Sequence, residues 1–417
     1  MGHLIISGGL NFTSMKRVLY AFIAGLIFYS CSNHKELPAN GDQVIKVFDH
    51  ENIHFEPNKY AVPSKPNAKG VMHLDNGRVI MKKIRIDEEY ERSVNITAKV
   101  TVTSNGDAWD KSGSAFIIPA ESEINLLDIL NKNQQFPEPT NLEEKFYGIK
   151  QEAGYKPNLE IMRFMTPFGV GYYSDSMENR RPVYVPHWEK EVVWTQDISD
   201  FADRLTAGEY YVGAWIDTWT KEGYNLSMDI NIEESELACD KRTQKWVEPV
   251  LNTVVYTGPQ KAYDAFSRGD LSFEIDIPKH VKNVQLKYLV TGHGGHSGGD
   301  EFVKNQNIVS LDGQTILDFY PWRDDCASFR RFNPHSGVWT EKAEWKGKEI
   351  DERIASSDYS RSNWCPGSVV DPEVIDLSSV TAGKHVITIS IPNAQPTKKN
   401  EMNHWLVSAY LVGENIK

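Results

Sequence analysis

A chain of 417 residues is long enough for two domains and a leader. Its 57 Asp and Glu against 45 Lys and Arg, with no basic run beyond clusters such as Met81-Lys-Lys-Ile-Arg85, argue against a nucleic-acid partner. Eleven Trp and 18 Tyr suit β-sandwiches and sugar-facing surfaces, where flat rings pack on pyranose C–H faces.

Near the N-terminus, Met15-Lys-Arg precedes the apolar run Val18 to Tyr29 and then Ser30-Cys31-Ser32-Asn33. The run is too short to span a bilayer and has the charged start and apolar middle of a secretory signal. Ser30 before Cys31 resembles a bacterial lipobox, so lipid on Cys31 is expected, with simple secretion as the alternative. Residues 1 to 14 read as an extension from a mistaken start codon, and residues 1–42 together as extension, signal peptide and tether. The protein is expected to be exported, periplasmic or on the outer-membrane surface, touching membrane only through that anchor.

From there period-2 alternation recurs and amphipathic helices are scarce. In Val94-Asn-Ile-Thr-Ala-Lys-Val-Thr-Val102 apolar and polar residues alternate, as a half-buried antiparallel strand requires. Leu226 to Ile232, Ser272 to Ile277, Val284 to Val290 and Val386 to Ile391 repeat the pattern between turn residues, predicting an all-β sandwich fold. Leu126 to Asn131 allows a helical turn or two within an insertion at about 120–157. The charged stretch after Glu233 breaks the pattern, which sets a first domain at 43–240 and a second at 250–417.

Three segments carry candidate chemistry. Asn105-Gly-Asp-Ala-Trp-Asp-Lys-Ser-Gly113 puts Trp109 and Asp110 on a loop between strands, either as site residues or as a self-capped turn. In Glu209 to Trp219, strand geometry assigns Val212, Ala214 and Ile216 to a core face and Tyr211, Trp215, Asp217 and Trp219 to the other. That second face would hold a carboxylate between two indoles, suited to a sugar; the alternative is that both rings cover a sheet. Thr291-Gly-His-Gly-Gly-His-Ser-Gly-Gly-Asp-Glu-Phe302 is a glycine-rich hairpin ending in Asp300 and Glu301, groups able to take a proton or orient water. Read together, they favour a carboxylate-based hydrolase.

Cys326 and Cys365 lie in loop-like, Trp- and Asp-rich sequence that suits a disulfide, leaving Cys239 over; three buried free thiols are the alternative. His293 and His296 with Asp300 and Glu301 make a conceivable metal set, but His187, His335, His385 and His404 are solitary, and no metal is expected.

Several of these segments fall in a familiar order. Ala108-Trp-Asp110, Glu160 to Gly171, Asp197-Ile-Ser-Asp-Phe201, Asp217-Thr-Trp219, Thr291-Gly-His-Gly294, Asp300-Glu-Phe302 and Arg361-Ser-Asn-Trp-Cys-Pro-Gly367 resemble the bacterial peptide:N-glycosidase F family over most of residues 43 to 415. The resemblance implies two antiparallel eight-stranded jelly-roll sandwiches side by side, with the active site between them. It also implies hydrolysis of the amide joining asparagine to the first N-acetylglucosamine of N-linked glycans, without a cofactor, by a monomer acting on N-glycoproteins or N-glycopeptides. By the same resemblance Asp110 is the principal catalytic carboxylate, Glu301 the acid that orients water, and Asp217 a shortened counterpart of a supporting glutamate. Trp109, Trp219 and Arg361 match substrate-contacting positions, whereas Lys111, His293 and Phe302 replace the family's Arg and two Trp. Cys326 and Cys365 match one family disulfide. The competing functions are an exported glycan-binding lipoprotein without turnover and a glycosidase with paired carboxylates.

Overall fold

The computed structural model describes residues 36–139, 146–175, 185–256 and 263–416. Cys31 and the signal-like segment lie outside the described residues. The first half forms β1 (Gln43–Ile53), β2 (Val71–Leu74), β3 (Val79–Ile86), β4 (Val94–Ser104), β5 (Lys111–Ile117), β6 (Leu159–Thr166), β7 (Val192–Asp197), β8 (Gly208–Ile216) and β9 (Tyr224–Glu234). The second forms β10 (Lys245–Asn252), β11 (Leu271–Ile277), β12 (Val281–His293), β13 (Asn307–Leu311), β14 (Gln314–Phe319), β15 (Val338–Trp345), β16 (Lys348–Ala355), β17 (Val369–Val370), β18 (Glu373–Asp376), β19 (Gly383–Ser390) and β20 (His404–Asn415).

Two antiparallel sandwiches result, as expected. In the first, sheet β1-β9-β4-β7 packs on β17-β6-β5-β8-β3-β2; in the second, β10-β20-β12-β18 packs on β11-β19-β13-β14. In β4, Ile96, Ala98, Val100 and Val102 are all buried, and they pack with Val212, Ala214 and Ile216 of β8 in one core. Burying each large aliphatic is worth about 1.5–3 kcal/mol, and a one-residue slip would turn the whole set outward, so the register is strongly specified. The expected helical turn is α1 (Leu126–Leu130), where the Asn125 side chain accepts a hydrogen bond from the Asp128 N–H at 3.1 Å.

The halves are tied together as well as adjacent. Strand β17 belongs to the second half by sequence but pairs with β6, Val370 opposite Arg163. Arg163 is fully buried, forks onto Glu160 at 2.8 and 2.6 Å, and donates to Thr291 Oγ1 at 3.1 Å and the Leu406 carbonyl at 2.9 Å across the boundary. A guanidinium saturated in this way fixes β6 against β12 and β20, whose ends carry half of the site.

Candidate active site

The loop from Asn105 to Asp110 is held from within by Asp107, which the sequence reading passed over. Its buried carboxylate accepts from the Trp109 N–H at 3.0 Å and from Thr218 Oγ1 at 2.7 Å, while Ser104 Oγ donates to its carbonyl at 2.6 Å. The Tyr224 hydroxyl donates to the Trp109 carbonyl. With its anchor turned inward, the loop leaves Trp109 63% exposed beside Asp110.

Opposite, β12 runs to His293 and turns at Gly294, whose φ of +149° leaves a Cβ only 2.3 Å from Asn403 Oδ1. Asp300 is fully buried and accepts from Trp405 Nε1 at 3.0 Å, Asn305 Nδ2 at 2.8 Å and the Gln395 N–H at 3.0 Å. Asp300 therefore pins the glycine-rich loop, and its neighbour Glu301 is the acid that faces the cleft.

Arg361 joins the two halves of the site. Its Nε donates to Glu301 Oε1 at 2.9 Å and its Nη2 to Asp110 Oδ2 at 3.4 Å, with the carbonyls of Tyr359 and Ser356 taking further N–H groups at 2.8 and 3.0 Å. The guanidinium lies between the Phe302 and Trp364 rings, 5.2 and 4.9 Å from their centroids. Burial pushes the Glu301 carboxyl up to about 7 and also raises Asp110; Arg361 pulls both the other way. The loop bearing Arg361 is closed by a Cys326–Cys365 disulfide with Cα atoms 5.1 Å apart, and Cys239, left over in the sequence reading, is not a free thiol.

At the other end, both oxygens of Asp217 are occupied: Trp219 Nε1 donates to Oδ1 at 3.0 Å and the Tyr256 hydroxyl to Oδ2 at 2.7 Å. Trp219 also packs against Phe55 at 5.0 Å and over the Arg78 guanidinium at 4.2 Å. The expected pairing of Asp217 with two indoles fails. Trp215 does lie on the face opposite Val212, Ala214 and Ile216, but it is fully buried there, packed with Phe116, Leu406 and Tyr256, whose ring is 6.0 Å away, and so it does not reach the cleft. From Tyr256 a row of rings crosses the floor: His404 at 4.7 Å, His293 a further 5.0 Å on, then Trp364 at 5.4 Å. Burial lowers both histidines, which keeps the imidazoles neutral.

The cleft encloses about 960 Å³, and Asp110, Glu301, Asp217, Trp109, Lys111, Trp219, His293, Phe302 and Arg361 all line it. Tyr256, His335, Trp339, Arg353 and His404 line it too. Sequence reading missed these because they stand alone in strands and loops that only folding brings to the cleft. The four-residue metal set does not converge: His293 Nε2 lies 2.8 Å from Thr291 Oγ1, and Asp300 and Glu301 are bonded as above. Among the described residues no group of three or more His, Cys, Asp or Glu is placed to hold a metal.

Two antiparallel jelly rolls with an indole-lined, carboxylate-bearing cleft between them define a double-sandwich protein. Two family models match the chain: Peptide-N-glycosidase F, N terminal, over residues 44–232, and Peptide-N-glycosidase F, C terminal, over residues 262–412. The chain belongs to the peptide-N-glycosidase F family. It is similar to PNGF-II, solved in two crystal forms, at 32% identity over 90% of this chain, with TM-scores of 0.75 and 0.74; it spans 66% and 65% of those chains. It shares the fold of PNGase F, a glycosylasparaginase from Flavobacterium meningosepticum, at 14% identity and a TM-score of 0.56 over 91% of this chain and 97% of that one. Among curated proteins no match was found.

Proposed function

We propose that this protein hydrolyses the amide bond between asparagine and the first N-acetylglucosamine of N-linked glycans. The observation that carries the reading is Arg361 bonded at once to Asp110 of the first sandwich and Glu301 of the second, on the floor of one cleft. Water adds to the amide carbon as it gives a proton to Glu301, the C–N bond breaks, and Glu301 returns that proton to the departing nitrogen, which leaves as a glycosylamine while the peptide keeps an Asp. Glu301, raised to about 7, is a base matched to neutral pH and accepts the proton of the attacking water. Asp110, at the mouth beside Trp109, faces the scissile amide and the first sugar. Arg361 holds both carboxylates in place and stabilises the oxyanion that develops on the amide oxygen. The exposed Trp219 face, with Asp217 and Tyr256 beside it, supports a seat for a pyranose ring. The disulfide fits the exported setting in which N-glycoproteins are met.

The test is mass spectrometry of a defined N-glycopeptide incubated in heavy-oxygen water with the wild type, Asp110→Asn and Glu301→Gln. The expected result is conversion of Asn to Asp with one heavy oxygen, abolished in both variants. Release that leaves N-acetylglucosamine on an intact Asn would replace the amidase with a glycosidase, and saturable binding without release would leave a lectin.

A further inference from the structure

We infer that the hairpin β15–β16 is a docking surface for an extended polypeptide, the segment of the substrate that flanks the glycosylated asparagine. This rests on the amidase reading and names the side of the substrate that the cleft floor leaves unaccounted for. Among the described residues the hairpin is a two-stranded sheet with no third strand, so both of its backbone edges are open. It rises between Cys326 and Cys365, so the disulfide closes the same loop that carries it and Arg361.

Directly opposed residues of an antiparallel pair share a face. The register sets Trp339 opposite Ile354, Glu341 opposite Glu352, Ala343 opposite Ile350 and Trp345 opposite Lys348, so one face carries an apolar patch at its base and another at its tip, with two glutamates between them. Thr340 with Arg353, Lys342 with Asp351 and Glu344 with Glu349 make the other face polar beyond the Val338–Ala355 pair at its base. The apolar patch at the tip has little cover: Trp345 is 63% and Ile350 42% exposed. The base of the same face joins the site, because Trp339 packs on Phe302 at 5.0 Å and on Tyr359 at 4.9 Å, and Phe302 in turn lies against Arg361.

The chemistry at the two ends of the cleft differs. The Trp219 end offers an indole, a carboxylate and a phenol, the partners of a sugar. The hairpin end offers aliphatic side chains with an unpaired strand edge, the partners of an extended chain that adds as a strand and buries alternate side chains. From Trp339 to Trp345 the ribbon advances roughly 20 Å at about 3.3 Å per residue, so a peptide must extend about six residues from the asparagine to use all of it.

The experiment uses the full chain with residues 343–350 replaced by Asn-Gly, which keeps the Lys342–Asp351 ion pair at 2.6 Å, and separately Trp345→Ser with Ile350→Ser. Glycan release is followed on two glycopeptides carrying one glycan, of about three and about twelve residues. The expected result is a loss of at least tenfold in kcat/KM on the long substrate and less than twofold on the short one. Titration with the twelve-residue product peptide, Asp in place of Asn and no glycan, reads the surface without turnover; its Kd should weaken at least tenfold in both variants. Equal effects on the two lengths, unchanged peptide binding, or an effect that follows glycan size would overturn the proposal. An enzyme that binds this peptide through the hairpin but releases no glycan would refute the amidase and leave the docking surface standing.

Discussion

Arg361 offers the most demanding test of the site, because one buried guanidinium serves two carboxylates and two carbonyls. It is 1% exposed, so replacing it with Met strands two acids with no shared cation, at a cost of about 3–5 kcal/mol when a buried pair is broken from one side. Arg361→Lys keeps the charge but concentrates it at one point, which does not reach Glu301, Asp110 and the carbonyls of Tyr359 and Ser356 together. The expected kcat/KM falls are roughly 10²-fold for Lys and 10³-fold or more for Met, the second equivalent to about 4 kcal/mol of transition-state stabilisation. The pH profile distinguishes this from simple unfolding. Glu301 must be ionised to accept a proton, so wild-type kcat/KM should fall with unit slope as pH drops through about 7. Arg361 pulls Glu301 down, so removing its charge moves that limb to higher pH in Arg361→Met, while Arg361→Lys, which keeps a cation, moves it less. Fluorescence-detected release from a labelled glycopeptide at pH 5 to 10, with circular dichroism to establish folding, makes the measurement. A folded Arg361→Met within tenfold of wild type, with its acid limb unmoved, would refute the reasoning.

Glu301 should also mark stability. Its folded carboxyl titrates near 7, above the ordinary 4.5, so the native state binds this proton more tightly than the unfolded chain. The contribution is fully present below 4.5 and lost as pH rises through 7, and Glu301→Gln should flatten the decline in urea midpoint between pH 5 and 8, by roughly 1–3 kcal/mol; an unchanged decline would exclude Glu301 as its source. Cys326→Ser opens a loop with a sequence separation of 39 and should cost about 4 kcal/mol on the chain-entropy model, with activity lost alongside Tm because Arg361 rides on that loop. Tyr256→Phe and Asp217→Asn each loosen the Trp219 indole, so KM should rise several-fold with kcat nearly constant, and the double variant should be less than additive. Full additivity would mean that Asp217 meets the substrate itself.

Much of this was legible in the chain. Alternation in Val94 to Val102 predicted β4 and its buried face, since period-2 patterning is a local property that the strand merely displays. The ordered motifs from Ala108 to Gly367 marked the family and named nine residues that fold around one cleft. Local reasoning did not tell which outward-facing side chains the second half would cover. Alternation placed Trp215 opposite Val212, Ala214 and Ile216, and it lies there, but Tyr256 and Leu406 of the second half cover it, so the ring is buried instead of facing a ligand.

The sequence by itself determined the sandwich patterning, the candidate acids and Arg361, because side-chain type and short-range spacing are written along the chain. Tertiary structure alone decided what holds each acid and which of them meets the cleft. Asp300 and Glu301 are adjacent in sequence, yet one is saturated by Trp405, Asn305 and Gln395 and the other faces Arg361 from 60 residues away. It also decided that Glu301 titrates near 7 and that Tyr256 holds Asp217, since desolvation and hydrogen bonding depend on what distant strands bring alongside.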